Sequence, residues 1–257
     1  MAAQVSIARL KEFGIVPDRD LGQNFLVDDN VLELIGGLVP LSATDSVLEV
    51  GPGLGVLTRW LAKRVAVVHA IEIDRRLEPA LAESLAGLDN VRLRFADALD
   101  VDPRSLEPPP GVLCANLPYN VATPVVMECL PHCERFCVMV QREIADRLFA
   151  EPRTKSYGAV SVLVQLCCRR LGRRQVSRRV FSPVPNVDSA LVAFQRRDDA
   201  PLGDGWGELV ALVRGSFSHR RKTLANSLAL AGLPAPPERF ARLRAEQLAP
   251  EQFLELR

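Results

Sequence analysis

The sequence predicts an α/β fold: a mostly parallel sheet with helices on both faces, followed by a small helical C-terminal domain. Strand and helix signals alternate from Ser46 to Ala150, the strands are short and apolar, and an Asp/Gly-rich loop at 198–207 precedes a tail with apolar residues at helical spacing. The 257 residues are 48% apolar and 25% charged, enough to bury a sizeable core. The expected division is a large domain over residues 1–200 and a small helical one over 201–257.

The elements follow in order. Val47–Val50 is a buried strand running into Gly51, residues 56–64 read as a helix, and Val65–Ile73 is a second strand. Arg75–Ala86 is helical and Val91–Phe95 is the third strand, before loops marked by Pro103 and the run Pro108–Gly111. Val112–Ala115 is the fourth strand, Val121–Leu130 a helix stopped by Pro131, Phe136–Val140 the fifth strand and Glu143–Ala150 a helix. Residues 168–180 are strand-like but dense in Arg, and Ser189–Arg196 is another strand, so these two extend the sheet antiparallel. In the tail, Leu209, Leu212, Val213 and Phe217 mark one helix, and Leu224 and Leu228 a second, closed by Gly232 and Pro234. No internal repeat is evident.

The net charge of +1 hides an asymmetry. Residues 1–134 carry 11 bases and 19 acids (−8), residues 135–180 carry 11 and 3 (+8), and residues 182–257 carry 10 and 9 (+1). An acidic block beside a basic one suggests a polarised surface, as a face for nucleic acid or a membrane would show. No run of 18 apolar residues exists, so no membrane-spanning helix is expected, and the N-terminus lacks the pattern of a signal peptide. Six cysteines, two of them adjacent (Cys167, Cys168), do not read as a disulfide framework, and a reducing cytoplasm is the expected compartment. Cys129, Cys133 and Cys137 lie near His132, but C-x₃-C-x₃-C is not a standard zinc spacing and Pro131 interrupts any helix aligning them. Buried thiols and no metal are the expectation.

In parallel sheets ligands bind beyond the carboxyl ends of the strands, so the residues after each strand carry the chemistry. After the first strand comes Gly51-Pro52-Gly53-Leu54-Gly55, where glycine permits φ > 0 and close backbone approach to a ligand. Its spacing is G-x-G-x-G, not that of a dinucleotide site. Glu72 ends the second strand and suits ribose hydroxyls, and Asp97 follows the third and suits an exocyclic amine. The fourth strand ends in Asn116-Leu117-Pro118-Tyr119-Asn120. An aromatic amine is a poor nucleophile because its lone pair is delocalised into the ring. The Asn116 side-chain oxygen and the carbonyl of Leu117 or Pro118 can accept its two hydrogens and turn that pair out of the ring plane, while Tyr119 stacks on the base.

These stretches, together with LGQNFLVDDNV (21–31), AIEID (70–74), MVQREIADRL (139–148), FSPVPNVDSALV (181–192) and FSHRRKTLANSL (217–228), resemble the ribosomal RNA adenine N6,N6-dimethyltransferase family. The resemblance implies a Rossmann-like class I methyltransferase sheet, S-adenosylmethionine as cofactor with no metal, and a helical C-terminal domain. It places Gln23, Asn24 and Leu26 over the methionine end of the cofactor, Gly51 and Gly53 against it, Glu72 at the ribose, Asp97 at the adenine and Asn116 between cofactor and target. Phe181 would supply a second aromatic wall. ANLPYN followed by ATP, QREIADR, and Phe217 leading into Arg220-Arg221-Lys222 resemble the housekeeping branch. That branch dimethylates two adjacent adenines in the 3′-terminal hairpin of small-subunit rRNA. The implied partner is that rRNA within an immature 30S-type particle, met by a monomer with no membrane. Alternatives on the same fold are a ribosome-assembly or nucleic-acid-binding factor, a large-subunit rRNA resistance dimethylase, and a DNA adenine or protein glutamine methylase, the last two typically carrying Asn-Pro-Pro-Tyr. One departure is Asp18-Arg19-Asp20 before the Leu-Gly-Gln-Asn-Phe stretch, where family members often carry Lys or Arg.

Two basic clusters are candidate RNA contacts. Arg173 and Arg174 belong to the dense block with Arg169, Arg170, Arg178 and Arg179, whose alternative role is to keep a sheet edge from pairing. Arg220, Arg221 and Lys222 follow Ser218, read as the cap of a helix beginning at His219. Cations at a helix N-terminus oppose the macrodipole, which points to a bound phosphate.

Overall fold

A computed structural model describes residues 8, 10–18 and 21–256. Arg19 and Asp20 of the departing segment lie outside the described residues, as do residues 1–7 of the N-terminus. The chain divides into two compact units, residues 1–142 with 170–195, and residues 143–169 with 196–257.

The first unit is built on a seven-stranded sheet. Its strands are β2 (Ser46–Val50), β3 (Val67–Glu72), β4 (Val91–Phe95), β5 (Val112–Asn116), β6 (Arg135–Gln141), β7 (Cys168–Val176) and β9 (Ser189–Arg196), in the order β4-β3-β2-β5-β6-β9-β7. β4 to β6 pair in parallel, and β9 runs antiparallel to β6, with Phe136 stacked on Phe194 at 4.5 Å across that pair. The five residues of β2 are all buried, as a central strand covered on both faces requires, whereas β4 and β7 form the edges and alternate or expose their side chains. Helices α1 (Asn30–Leu38) and α2 (Val56–Ala62) put Ile35, Trp60 and Leu61 into one core with Val68, Val112 and Leu191 of the sheet. α3 (Glu78–Ser84) carries Leu81 into a second cluster with Phe25, Leu54 and Leu77, and α4 (Ala122–Cys129) follows β5.

The strand order decides where a ligand can sit. β3 and β4 lie on one side of β2 and β5 and β6 on the other, so the connections diverge between β2 and β5 and leave a crevice at their carboxyl ends.

Most predicted elements are present with ends moved by one to three residues. Three of these helices gave no expectation, α1, α6 (Ala159–Cys167) and α9 (Glu238–Ala241). A two-stranded pairing between β1 (Phe25–Leu26) and β8 (Phe181–Ser182) was also unforeseen, because two residues carry no periodicity.

In the second unit, α5 (Arg142–Leu148, from Glu143 on) and α6 lie with α7 (Trp206–Phe217), α8 (Leu224–Leu230) and α9 (Glu238–Ala241). Tyr157, fully buried, donates its hydroxyl to the Leu248 carbonyl at 2.7 Å and meets Phe217 edge-on, and Phe217 stacks on Phe253. This division differs from the expected boundary at 200. Residues 143–169 belong with the C-terminal segment because α6 carries buried residues such as Val162, Leu163 and Val164 that pack with the tail helices. All six cysteines are buried free thiols, and burial raises the Cys167 thiol to about 12. No described helix is long and apolar enough to cross a membrane.

Candidate functional site

The crevice opens into a cleft lined by the residues that follow β2, β3, β4 and β5. Its floor is the glycine turn. Gly51, Gly53 and Gly55 all have positive φ, at 74°, 59° and 76°. A Cβ on Gly51 would stand 3.2 Å from the Pro118 ring, and one on Gly53 would stand 3.0 Å from the Phe25 ring. Backbone conformation and space both demand glycine, and the bare turn forms a cradle that any side chain would fill.

Three acids face this cradle in different states. The Glu72 carboxylate accepts from the N–H groups of Ile73 and Asp74 on Oε1, both at 3.0 Å, and from Gly53 on Oε2 at 3.1 Å. Of its roughly four acceptor positions, one on Oε2 remains for a ligand hydroxyl. Burial pushes its pKa up, and the three backbone donors oppose that shift. Glu49, two residues before Gly51 on β2, is 1% exposed, and its Oε2 has no hydrogen-bond partner. Burial raises this carboxyl to about 8, with the charge of Glu72 adding and Thr58 opposing. Asp97 caps the short turn 98–100 by accepting from Leu99 N–H at 2.9 Å on Oδ1, which leaves Oδ2 for an amine. A buried carboxyl with an unpartnered oxygen, a glycine cradle and acceptors for a hydroxyl and an amine fit a nucleoside-bearing ligand.

Beyond β5 the chain turns through the segment expected to hold the target base. Asn116 is the last residue of the strand. Its side-chain nitrogen donates to the Asn24 carbonyl at 3.2 Å, so Oδ1 is the acceptor end left for another group. Leu117 is buried and donates its N–H to Met139. The Pro118 carbonyl already accepts from Val121 N–H at 3.2 Å, which favours the Leu117 carbonyl as the second acceptor beside Asn116 Oδ1. The Tyr119 ring is tied by its hydroxyl to Ser189 Oγ at 2.8 Å. Burial raises the phenol, and Ser189 opposes that.

The residues expected to hold the cofactor and the turn from Asn116 to Tyr119 all line this one cleft. Phe181 does not. It is 2% exposed, pairs with Leu26 across β1 and β8, and packs in the core with Val176 and Leu191, because the two-stranded pairing turns its ring inward. Gln23 lines the cleft, but its side chain is bonded to protein groups.

Sequence reasoning missed four contributors. Ile73 is apolar yet 50% exposed in the cleft directly after Glu72, and an apolar residue past a strand end was the available signal. Glu49 was visible as an acid inside a wholly apolar strand. Asp74 and Ser189 act through hydrogen bonds to residues 51 and 70 positions away, which no local pattern reveals.

The basic clusters fare unequally. Arg173 and Arg174 lie on edge strand β7, Arg174 exposed and Arg173 half-buried. The capping expectation for Ser218 is overturned. α7 runs through Phe217 and Ser218 is its C-cap, donating its hydroxyl back to the Gly215 carbonyl at 2.7 Å, while Thr223 caps α8. Residues 219–222 form the turn between these helices, where cations favour the C-terminal end of the α7 dipole instead of opposing an N-terminus. All three cations are exposed, and Arg220 is in addition engaged by the Lys155 carbonyl and Glu246, both at 3.1 Å.

Residues 18–250 match the family described as ribosomal RNA adenine dimethylase. The chain is similar to the ribosomal RNA small subunit methyltransferase A of Rubrobacter xylanophilus, at 44% identity over 253 residues, covering 93% of this chain and 94% of that one. Among solved structures it is similar to a dimethyladenosine transferase from Plasmodium falciparum, with TM-score 0.74 and 24% identity over 90% of this chain and 95% of that one. It is also similar to the 23S rRNA methyltransferase ErmE, with TM-score 0.65 and 30% identity over 91% and 98%. The fold is that of the Rossmann-like methyltransferases.

Proposed function

The chain belongs to the ribosomal RNA adenine dimethylase family, and we propose that it methylates N6 of two adjacent adenines in the 3′-terminal hairpin of small-subunit rRNA, giving N6,N6-dimethyladenosine. The observation that carries this reading is the orientation of Asn116: with its nitrogen held by the Asn24 carbonyl, its oxygen is the end presented to a target amine.

The residues that would hold S-adenosylmethionine are the Gly51–Gly53 turn, Glu72 for a ribose hydroxyl, Asp97 for the adenine amine and Ile73 for the face of that adenine. Bound there, it supplies an electrophilic methyl group on a sulfonium. Asn116 Oδ1 and the Leu117 carbonyl accept the two N6 hydrogens of the target, turning its lone pair away from the ring system. Tyr119, fixed by Ser189, provides a stacking face for a base taken out of its helix. No side-chain base is needed, because the nitrogen becomes strongly acidic once it has bonded to carbon and loses its proton to solvent. The monomethyl product has one hydrogen left to hold, so the second transfer requires only one of the two acceptors.

Arg221, Lys222, Arg173 and Arg174 are the residues we assign to RNA phosphate, and Arg220 braces the turn that carries Arg221 and Lys222 by its bonds to the Lys155 carbonyl and Glu246. Identity of 44% with a small-subunit enzyme against 30% with a 23S enzyme supports the small-subunit target. We take the acting species as a monomer on an immature small-subunit particle in the cytoplasm. Incubating such particles with enzyme and S-adenosylmethionine, then mapping rRNA by mass, is expected to place dimethyladenosine at two neighbouring positions near the 3′ end. Dimethylation confined to large-subunit RNA, or none at all, would refute the assignment.

A further inference from the structure

The loop after β3 and the segment before β1 are joined by a closed set of hydrogen bonds that methyl transfer does not itself require. Gln23 Nε2 donates to Asp74 Oδ2 at 2.7 Å, Gln23 Oε1 accepts from Asp18 N–H at 2.8 Å, and Gln23 N–H donates to the Asp18 carbonyl at 3.1 Å. Arg76 grips the same Asp74 carboxylate through two nitrogens, Nε to Oδ1 and Nη2 to Oδ2, both at 2.8 Å, and Nη2 also reaches Asp18 Oδ2 at 3.2 Å. Asp74 is buried, and the Arg76 guanidinium, seconded by Gln23, holds its carboxyl below the usual range. A buried carboxylate bound in this bidentate way is a rigid, charge-assisted anchor.

What the anchor holds is the segment that touches the reactive turn. The residue after Gln23 is Asn24, whose carbonyl receives the Asn116 side-chain nitrogen. Leu21 to Leu26 line the cleft, and the far end of the segment is fixed by the β1–β8 pairing and by Val27 N–H donating to Val180. Its near end depends on Gln23.

We propose that Asp74 and Arg76 are positioning residues for methyl transfer: they latch residues 21–26 through Gln23, and the latched segment presents the Asn24 carbonyl that fixes the orientation of Asn116. Gln23 is then the pin of this segment and not chiefly a cofactor contact. The inference rests on the reading above, in which the cleft takes S-adenosylmethionine and Asn116 holds the target amine.

Two measurements on the whole protein test it. Hydrogen exchange of the ligand-free protein reads the latch directly: Gln23→Ala and Asp74→Ala are each expected to speed exchange in residues 21–26 while the strands of the main sheet are unaffected. Calorimetric titration with S-adenosylmethionine and steady-state kinetics read its consequence. Each variant is expected to raise Kd by about tenfold and to lower kcat as well, as loss of a hydrogen bond to a charged group would. The double variant should be no worse than the worse single one, since both break the same link. Arg76→Ala, at an exposed residue, should move the same readouts by less, and it keeps the test open if Asp74→Ala does not fold. Additive losses in the double variant, or unchanged exchange in residues 21–26 in every variant, would overturn the latch. A wild-type protein that failed to bind S-adenosylmethionine would instead overturn the assignment of the cleft, with the latch still judged by exchange alone.

Discussion

The strand ends around the cleft and the turn at 218–223 are both polar segments that close regular elements, yet only the first could be placed from its residues. At the strand ends, parallel pairing sets position: Val50 lies level with Ile71, and Glu72 with Phe95, so residues that follow their strands arrive at one edge together. In the turn, a single hydroxyl could cap a helix on either side. Ser218 bonds backwards to Gly215, and Thr223 takes the forward role. Topology carries information over the length of a sheet, whereas a cap is decided by competition between two local hydrogen bonds of similar worth, ~1 kcal/mol each.

The sharpest way to break this comparison is at Asn116. If the register of the strand ends creates the reactive site, Asn116→Ala should lower kcat by at least ~100-fold, as expected when a positioning dipole is lost, with S-adenosylmethionine affinity within about tenfold of wild type. Single-turnover kinetics beside calorimetric titration would check both. Turnover that survives the change would remove the chemical role of the β5 turn.

How much was legible follows from the same distinction. The glycine turn, Glu72, Asp97 and the Asn116–Tyr119 turn were all readable because each stands at or just past the end of a strand, and all line one cleft. The role of Phe181 was not, because the two-residue pairing that turns its ring into the core leaves no periodic trace. The sequence assigns residues 143–169 to the large domain because α5 continues the strand–helix alternation, and nothing local shows that α6 shares its core with the tail helices. Asp74 stands in the AIEID stretch with no role legible there, since its partner Gln23 lies 51 residues away.

A second prediction concerns charge, which burial governs in the cleft and solvent governs in the turn. Glu49 is enclosed by β2 itself, Thr58 on α2, Glu72 on β3 and Cys114 on β5, and no cation faces it among these. Its pKa lies near 8 in the folded protein against 4.5 when free, so the folded protein binds the proton more tightly than the unfolded chain. This stabilising contribution is complete below 4.5 and is lost as pH rises from there through about 8. Glu49→Gln cannot ionise. Its melting temperature should match wild type near pH 5 and exceed it at pH 9, by an amount of the order of a few kcal/mol in stability. Thermal melts at pH 5, 7 and 9 that run parallel in the two proteins would show that Glu49 is not held neutral.

The smallest expected effects lie in the turn and separate its three cations. Arg221 and Lys222 are exposed, so replacing both with Ala should weaken binding of the 3′-terminal hairpin and lower the salt dependence of log K by about one for each phosphate left without its cation, leaving thermal stability alone. Arg220 should behave in the opposite way. Its guanidinium joins the Lys155 carbonyl to Glu246 inside the second unit, a partly exposed pair worth ~0.2–1 kcal/mol. Arg220→Ala should therefore lower the melting temperature by about 2–4 °C at most and leave the salt slope nearly unchanged. Should the Arg220 variant reduce the slope as much as either neighbour does, Arg220 would be a phosphate ligand that meets Glu246 only while RNA is absent. Adjacent residues of one basic tripeptide would then have the same task, and the sequence pattern would have been the better guide in a region where the structure overruled it.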